Sequence, residues 1–86
     1  DDLESIVQYT AMTWGEVQAE KYFESIEKAF SDICRYPLIG HVSADLPDDY
    51  RLYRVGSHVI VYRQHDDMIY IVRILHQRMR LRRHLP

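Results

Sequence analysis

The sequence predicts an α+β fold in which an N-terminal antiparallel hairpin of two helices packs on one face of a three-stranded antiparallel β-sheet. Apolar side chains recur at helical spacing through the first part of the 86-residue chain. Three short runs rich in β-branched and aromatic residues follow, with alternating side chains. Because only two or three residues separate neighbouring runs, the strands should form a meander. We expect residues 1–86 to form one domain.

The first helix is indicated by Leu3, Ile6, Val7 and Ala11, which recur at the spacing of one helix face. The acidic pair at residues 1–2 suits a helix N-terminus, where the helix dipole favours negative charge. A second helix follows so closely that the two should lie antiparallel.

The second helix is indicated by a cap signal and a long apolar stripe. Thr13 and Glu16 have capping-box spacing, so we expect Thr13 to cap this helix. A proline at the end of the stripe should stop it. The stripe comprises Ala19, Tyr22, Phe23, Ile26, Phe30 and Ile33. We expect Tyr22, Ile26 and Phe30 to pack on the sheet.

The three strands are predicted at residues 50–55, 58–64 and 68–75. Alternate side chains in these runs point to opposite faces of a strand, and in parts of the runs both faces are apolar. Gly-Ser at residues 56–57 is a two-residue hairpin signal with glycine in the first central position. Asp-Asp at residues 66–67 turns the chain again. Both turns predict antiparallel pairing of neighbouring strands.

Charge is divided unevenly along the chain. Residues 1–49 carry 11 acidic and 3 basic side chains (−8), and residues 50–86 carry 2 acidic and 8 basic ones (+6). The basic half could hold phosphates or an acidic protein, or it could be a solvated face that attracts the acidic helices. The single cysteine excludes an internal disulfide, and no apolar run approaches the roughly 20 residues of a membrane helix. We therefore expect a cytoplasmic protein with no membrane partner.

Residues capable of chemistry are scattered. The histidines and the cysteine show no ligand spacing, so we predict no metal site, and we expect no cofactor. An RNA-cleaving site needs a base, an acid and cationic support for the phosphorane. His58, His76 and His84 could be acid or base, but the sequence places no two of them together. We interpret Tyr9 and Trp14 as packing residues of the helix hairpin.

Three stretches of the sequence resemble one family. "DLESIVQYTAMTWGEVQAEKYFESI", with its YTxxxWGxxQAxxY pattern, resembles the two-helix opening of ParE toxins in the RelE/ParE superfamily of toxin–antitoxin modules. "YRLYRVGSHVIVYR" is similar to the family's central hairpin, and "IYIVRILHQRM" followed by "HL" is similar to its last strand and tail. The resemblance covers nearly the whole chain. It also implies a further strand before the first helix, which this sequence lacks.

The resemblance implies a toxin that poisons DNA gyrase by binding rather than by catalysis. It also implies a ParD-like antitoxin, whose C-terminal segment lays a helix against the hairpin and a strand against the sheet. The two would form a hetero-oligomer, roughly 2:2 or higher, that meets operator DNA only through the antitoxin. We expect antitoxin contacts at Glu20, Glu24 and Glu27. The expected gyrase-interaction residues are His76, Arg78, Arg80, Arg82 and Arg83.

Two alternatives stay open. RelE-like relatives cut messenger RNA on the ribosome, and a nuclease of that kind would use Arg51, Arg78, Arg80 and His84 here. The chain has Tyr53 and a valine where those enzymes carry basic strand residues, which weakens the nuclease interpretation. In the opposite direction, Arg78-Met-Arg80 replaces the Arg-Met-Asp of many ParE tails and makes this tail more basic, which keeps that interpretation open. The second alternative is a non-toxic remnant that only binds its antitoxin.

Overall fold

The computed structural model describes residues 2–79, and its architecture is the predicted α+β fold. Two helices precede a three-stranded antiparallel sheet of order β1-β2-β3. Within residues 2–79, neither helix is long and apolar enough to cross a membrane. The elements are α1 (Asp2–Trp14), α2 (Glu16–Arg35), β1 (Tyr50–Val55), β2 (His58–His65) and β3 (Met68–His76).

The junction between the helices is a single glycine, and the predicted Thr13 cap is wrong. Helix α1 continues through Thr13 to Trp14, and Gly15 is the N-cap of α2 without any side-chain capping hydrogen bond. Gly15 donates its N–H to the Ala11 carbonyl at the end of α1. Its φ of 94° lies in a region that glycine adopts readily, so the chain reverses in one residue. Thr13 therefore stays in the last turn of α1.

Both predicted hairpin turns are present. Strands β1 and β2 pair around Gly56, which has φ 56°, and β2 and β3 pair around Asp66, which has φ 54°. Aspartate tolerates this left-handed conformation better than most residues. The ladder between β2 and β3 shifts register between Val61 and Tyr62. The shift corresponds to one extra residue in β3.

The main core lies between the helices and the sheet. Ile26 and Ile33 of α2 and Ile60 and Tyr62 of β2 are completely buried in it, and Ile6 of α1 joins them. The predicted packing of α2 is confirmed, because Tyr22 and Phe30 also pack against this cluster.

A smaller cluster covers the other face of the sheet. Leu46, from the loop before β1, packs with Val61 and Leu75. Three consecutive residues of β2, from Ile60 to Tyr62, therefore have no exposed surface. Burial on both faces explains why this central strand is apolar in succession rather than strictly alternating.

The two sheet edges are held by different contacts. At the β1 edge, His41 and Leu52 exchange backbone hydrogen bonds of 2.8 Å. At the β3 edge, the Asp2 carboxylate accepts hydrogen bonds from Arg73 Nε at 2.7 Å and from the Ile74 N–H at 2.9 Å. The Arg73 hydrogen bond lowers the pKa of Asp2, partial burial opposes this, and the Ile74 N–H reinforces it. Asp2 thereby fastens α1 to the last strand.

The hydroxyl of Tyr62 joins the central strand to the turn after α2. It donates to the Pro37 carbonyl at 2.7 Å and accepts the Gly40 N–H at 3.0 Å. Burial raises the pKa of Tyr62, with smaller opposing contributions from Gly40 and Arg51. A Cβ at Gly40 would lie 2.6 Å from this hydroxyl oxygen, so the close approach requires glycine.

We expect Tyr62→Phe to lower the free energy of unfolding by about 1–3 kcal/mol, because the part-buried Pro37 carbonyl and the buried Gly40 N–H lose their partner. Urea unfolding followed by circular dichroism measures the change. Tyr70→Phe is the matched control, since it removes the same hydroxyl from a strand residue that is 46% exposed. It should change stability by less than about 0.5 kcal/mol. Equal stability of both variants would contradict the role given to Tyr62.

Candidate functional site

One cavity lies where the end of α1, the start of α2, the β1–β2 turn and the end of β3 meet. We call it the Trp14 pocket, and its volume is about 570 Å³. Small-molecule sites typically measure roughly 300–1,000 Å³. The pocket is lined by Tyr9, Thr10, Trp14, Gln18, Tyr22, Ser57, His58 and His76.

Tyr22 connects the helices to the sheet beside this pocket. Its hydroxyl lies 2.6 Å from His58 Nδ1 and accepts the Ser57 N–H at 3.1 Å. The Val55 carbonyl oxygen lies 3.3 Å from the same hydroxyl and can accept its proton. A Cβ at Gly56 would lie 2.6 Å from the Tyr22 ring, so glycine is needed in the turn for space as well as for its positive φ. The β1–β2 turn is thus fixed against α2.

The structure brings together two histidines that the sequence could not place. His58 and His76 are partners in the β2–β3 register, and their rings meet edge to face with centroids 5.5 Å apart. His76 Nδ1 accepts the Arg78 N–H at 3.2 Å. Burial lowers the pKa of His58, and neighbouring His76 lowers it further. The His58 ring is therefore held in its neutral form more firmly than a free imidazole.

A second cavity, the helix groove, runs along the outer side of the helix hairpin and has a volume of about 580 Å³. Its lining is mainly apolar and includes the acidic side chains Glu4, Glu16 and Glu20. Glu20 belongs to its lining, whereas Glu24 and Glu27 are exposed further along α2. The lining consists of Leu3, Glu4, Val7, Gln8, Ala11, Glu16, Ala19, Glu20 and Phe23.

Comparison with known proteins gives a consistent family assignment. Residues 1–81 match the family model described as "ParE toxin of type II toxin-antitoxin system, parDE". The chain belongs to the ParE toxin family. It is 36% identical to Toxin ParE1 of Caulobacter vibrioides over 84 residues, which cover 98% of this chain and 86% of that protein. It is 37% identical to Toxin ParE1 of Mycobacterium tuberculosis, again over 84 residues, covering 96% and 86% of the two chains.

The basic residues expected to act in this ParE-family chain are only partly within the described range. Arg78 is exposed just after β3, and His76 lines the Trp14 pocket. Arg51 instead donates to the Gly40 carbonyl at 2.8 Å and lines a cavity of about 210 Å³ that also contains Asp48 and Asp49. Arg80, Arg82, Arg83 and His84 lie outside the described residues. Arg51 and His76 therefore line different cavities.

No group of three or more His, Cys, Asp or Glu side chains within residues 2–79 is arranged to hold a metal ion. The described histidine pair also has an unsuitable hydrogen-bond pattern for one. A metal-bound imidazole donates its second ring nitrogen to a partner, whereas His76 Nδ1 accepts a proton from the Arg78 backbone. The Trp14 pocket is lined by polar and aromatic side chains.

The interpretation of Tyr9 and Trp14 as packing residues was wrong. Tyr9 is 67% exposed and Trp14 is 71% exposed, and both line the Trp14 pocket. A signal was present in the ParE pattern itself. Thr10, Trp14, Gln18 and Tyr22 follow one another at intervals of four residues. This interval places Thr10 and Trp14 on one face of α1, and Gln18 and Tyr22 on one face of α2.

We expect acid to destabilise the fold partly through His58. Its pKa is below the ordinary value of about 6.5, so the unfolded chain binds a proton first as the pH falls. The stability that His58 contributes to the folded state is fully present above about pH 6.5. It is lost as the pH falls through the pKa that His58 has in the folded chain. The groups facing His58 are Tyr22 and His76.

The measurement is the free energy of unfolding at several pH values between about 7.5 and 5. His58→Asn is the matched variant, since its side-chain oxygen can replace Nδ1 as a partner of Tyr22 but does not titrate. Its stability should fall less steeply with pH than that of the parent chain. Parallel pH profiles for the two proteins would contradict the assignment.

Proposed function

We propose that this chain is the toxin of a type II toxin–antitoxin module, that it acts in the cytoplasm by binding and inhibiting DNA gyrase, and that a ParD-like antitoxin neutralises it. The family match carries the proposal, because it extends over both the helix hairpin and the sheet. The details of the surface support separate places for the antitoxin and for the target.

The helix groove has the chemistry to receive an antitoxin helix. An amphipathic helix binds by laying its apolar face into a hydrophobic groove. Here Val7 and Ala11 of α1 face Ala19 and Phe23 of α2 across such a groove, and Glu20 stands at its side. With Glu24 and Glu27 also exposed on α2, the surface suits an antitoxin segment whose polar side is basic.

The arginine-rich end has the chemistry to bind gyrase or gyrase-bound DNA. Arg78 is exposed at the end of β3, and the sequence continues with Arg80, Arg82 and Arg83. Arginines bind phosphates and carboxylates through paired hydrogen bonds. Binding rather than RNA cleavage is supported by Arg51, whose guanidinium donates to the Gly40 and Leu38 carbonyls and, within residues 2–79, shares its cavity with Asp48 and Asp49 rather than with another cation.

Replacing Arg78, Arg80, Arg82 and Arg83 by Ala should weaken inhibition of gyrase supercoiling by about tenfold or more, because four cationic contacts are lost. Antitoxin binding should persist. The matched control removes the same charge from four exposed residues elsewhere, by changing Lys21, Lys28, Arg35 and Arg54 to Ala. It should inhibit like the parent chain.

Full inhibition by the tail variant would contradict the assignment of the tail. If the folded parent chain does not inhibit gyrase, the gyrase proposal fails, and cleavage of ribosome-bound messenger RNA becomes the next assay. Cleavage that His84→Ala abolishes would then replace gyrase inhibition with nuclease activity. Antitoxin binding without a growth effect would indicate the non-toxic remnant.

Changing Glu20, Glu24 and Glu27 to Lys should weaken antitoxin binding by about tenfold or more and flatten its dependence on salt, because attraction becomes repulsion. Titration calorimetry at two salt concentrations measures both effects. The control reverses the charges of Asp48 and Asp67, which are exposed in the loops before β1 and between β2 and β3. Unchanged affinity of the glutamate variant would show that this face of α2 is only solvated.

A further inference from the structure

The Trp14 pocket is not explained by gyrase inhibition through the tail or by antitoxin binding in the helix groove. Four side chains at intervals of four residues along the helix hairpin converge there with His58 and His76. Tyr22 and the β1–β2 turn fix its inner wall through short hydrogen bonds. The result is a cavity of about 570 Å³ with both apolar and polar walls, which is the form of a ligand site.

The outer walls of the pocket are aromatic rings that the fold leaves in contact with solvent. Trp14 and Tyr9 are 71% and 67% exposed, so their main contribution is not burial in the core. Exposed tryptophan and tyrosine rings present flat faces on which another planar group can stack. Stacking of this kind is the usual way in which proteins hold unpaired bases.

The polar groups of the pocket form a neutral set of donors and acceptors. Tyr22 occupies Nδ1 of His58, and the Arg78 N–H occupies Nδ1 of His76, so each ring keeps Nε2 for a ligand. Because His76 Nδ1 is an acceptor, its neutral ring carries the proton on Nε2. Gln18 adds an amide that both donates and accepts. Such a mixture matches the edge of a nucleobase.

Charge around the pocket favours a nucleotide over an uncharged aromatic side chain. Among residues 2–79, the lining contains no carboxylate and no lysine or arginine. Arg78 follows His76 by two residues, is exposed, and donates its backbone N–H to the His76 ring. A neutral aromatic pocket with an arginine beside it fits a base and its phosphate, respectively.

We propose that the Trp14 pocket binds one unpaired nucleobase of a single-stranded nucleic acid, stacked against Trp14 and Tyr9, with Arg78 beside it for the phosphate. This site does not depend on gyrase inhibition. It gives the chain a contact with nucleic acid that the antitoxin does not mediate.

The single tryptophan of the chain makes the test direct, because Trp14 is the only source of tryptophan fluorescence. The probes are short oligomers of thymidylate and uridylate, a DNA duplex of the same length and deoxyribose 5-phosphate. Either single-stranded oligomer should quench Trp14 saturably, and the tighter one identifies DNA or RNA as the source. The duplex and the sugar phosphate should quench little, since neither offers an unpaired base.

Variants distinguish binding of a base in the Trp14 pocket from electrostatic attraction of the oligomer to arginine side chains. In anisotropy measurements with a labelled single-stranded oligomer, Tyr9→Ala or Trp14→Ala should weaken binding roughly 5-fold to 150-fold through loss of stacking. Tyr36→Ala is the matched control, because Tyr36 is 60% exposed after α2 and is not part of the lining. Arg78→Ala should reduce the salt slope of binding by about 1.

Three results would overturn the proposal. One is binding of single strands without a change in Trp14 fluorescence and without an effect of Tyr9→Ala, which would indicate arginine attraction alone. Another is equal quenching by the duplex. The third is quenching by a short aromatic peptide but by neither oligomer, which would make the pocket a protein contact. Because the parent chain is measured directly, a variant that fails to fold leaves the test valid, and the supercoiling assay stays an independent result.

Discussion

Burial of Tyr62 in the central strand is the constraint on which most of the fold depends. Its ring lies in the core between the helices and the sheet, and its hydroxyl satisfies the Pro37 carbonyl and the Gly40 N–H. These bonds fix the turn that follows α2. The next residue, His41, then exchanges hydrogen bonds with Leu52 and covers the outer edge of β1. One buried side chain thus sets the exit of the helix hairpin and one border of the sheet.

Two further side chains form hydrogen bonds that join the helices to the sheet. Asp2 links the first turn of α1 to Arg73 and the Ile74 N–H at the β3 edge. Tyr22 links α2 to the β1–β2 turn and to His58. In a small domain with a limited apolar core, such long-range polar contacts select one arrangement of hairpin and sheet. The Trp14 pocket forms beside Tyr22 because helices, turn and strand end are fixed there together.

The described surface separates three kinds of chemistry. The helix groove is apolar with acidic sides, the Trp14 pocket is aromatic with neutral polar groups, and the end of β3 is cationic at Arg78. An antitoxin helix in the groove would leave the pocket lining and Arg78 uncovered unless its chain continued around the domain. The proposed antitoxin would therefore cover both the helix groove and the end of β3 only if its chain reached from one to the other.

The sequence by itself determined the helices, the strands and the two short turns, because apolar periodicity and turn residues act locally. It also indicated the family and the packing of Ile26 on the sheet. The Thr13 cap failed because Gly15, with its positive φ, reversed the chain in one residue. Only the tertiary structure decided that the His58 and His76 rings are in contact. It also decided that Arg51 donates a hydrogen bond to the Gly40 carbonyl in the turn after α2, and that Trp14 lines a pocket. Those outcomes depend on strand register and on contacts between residues distant in sequence, which local patterns do not encode.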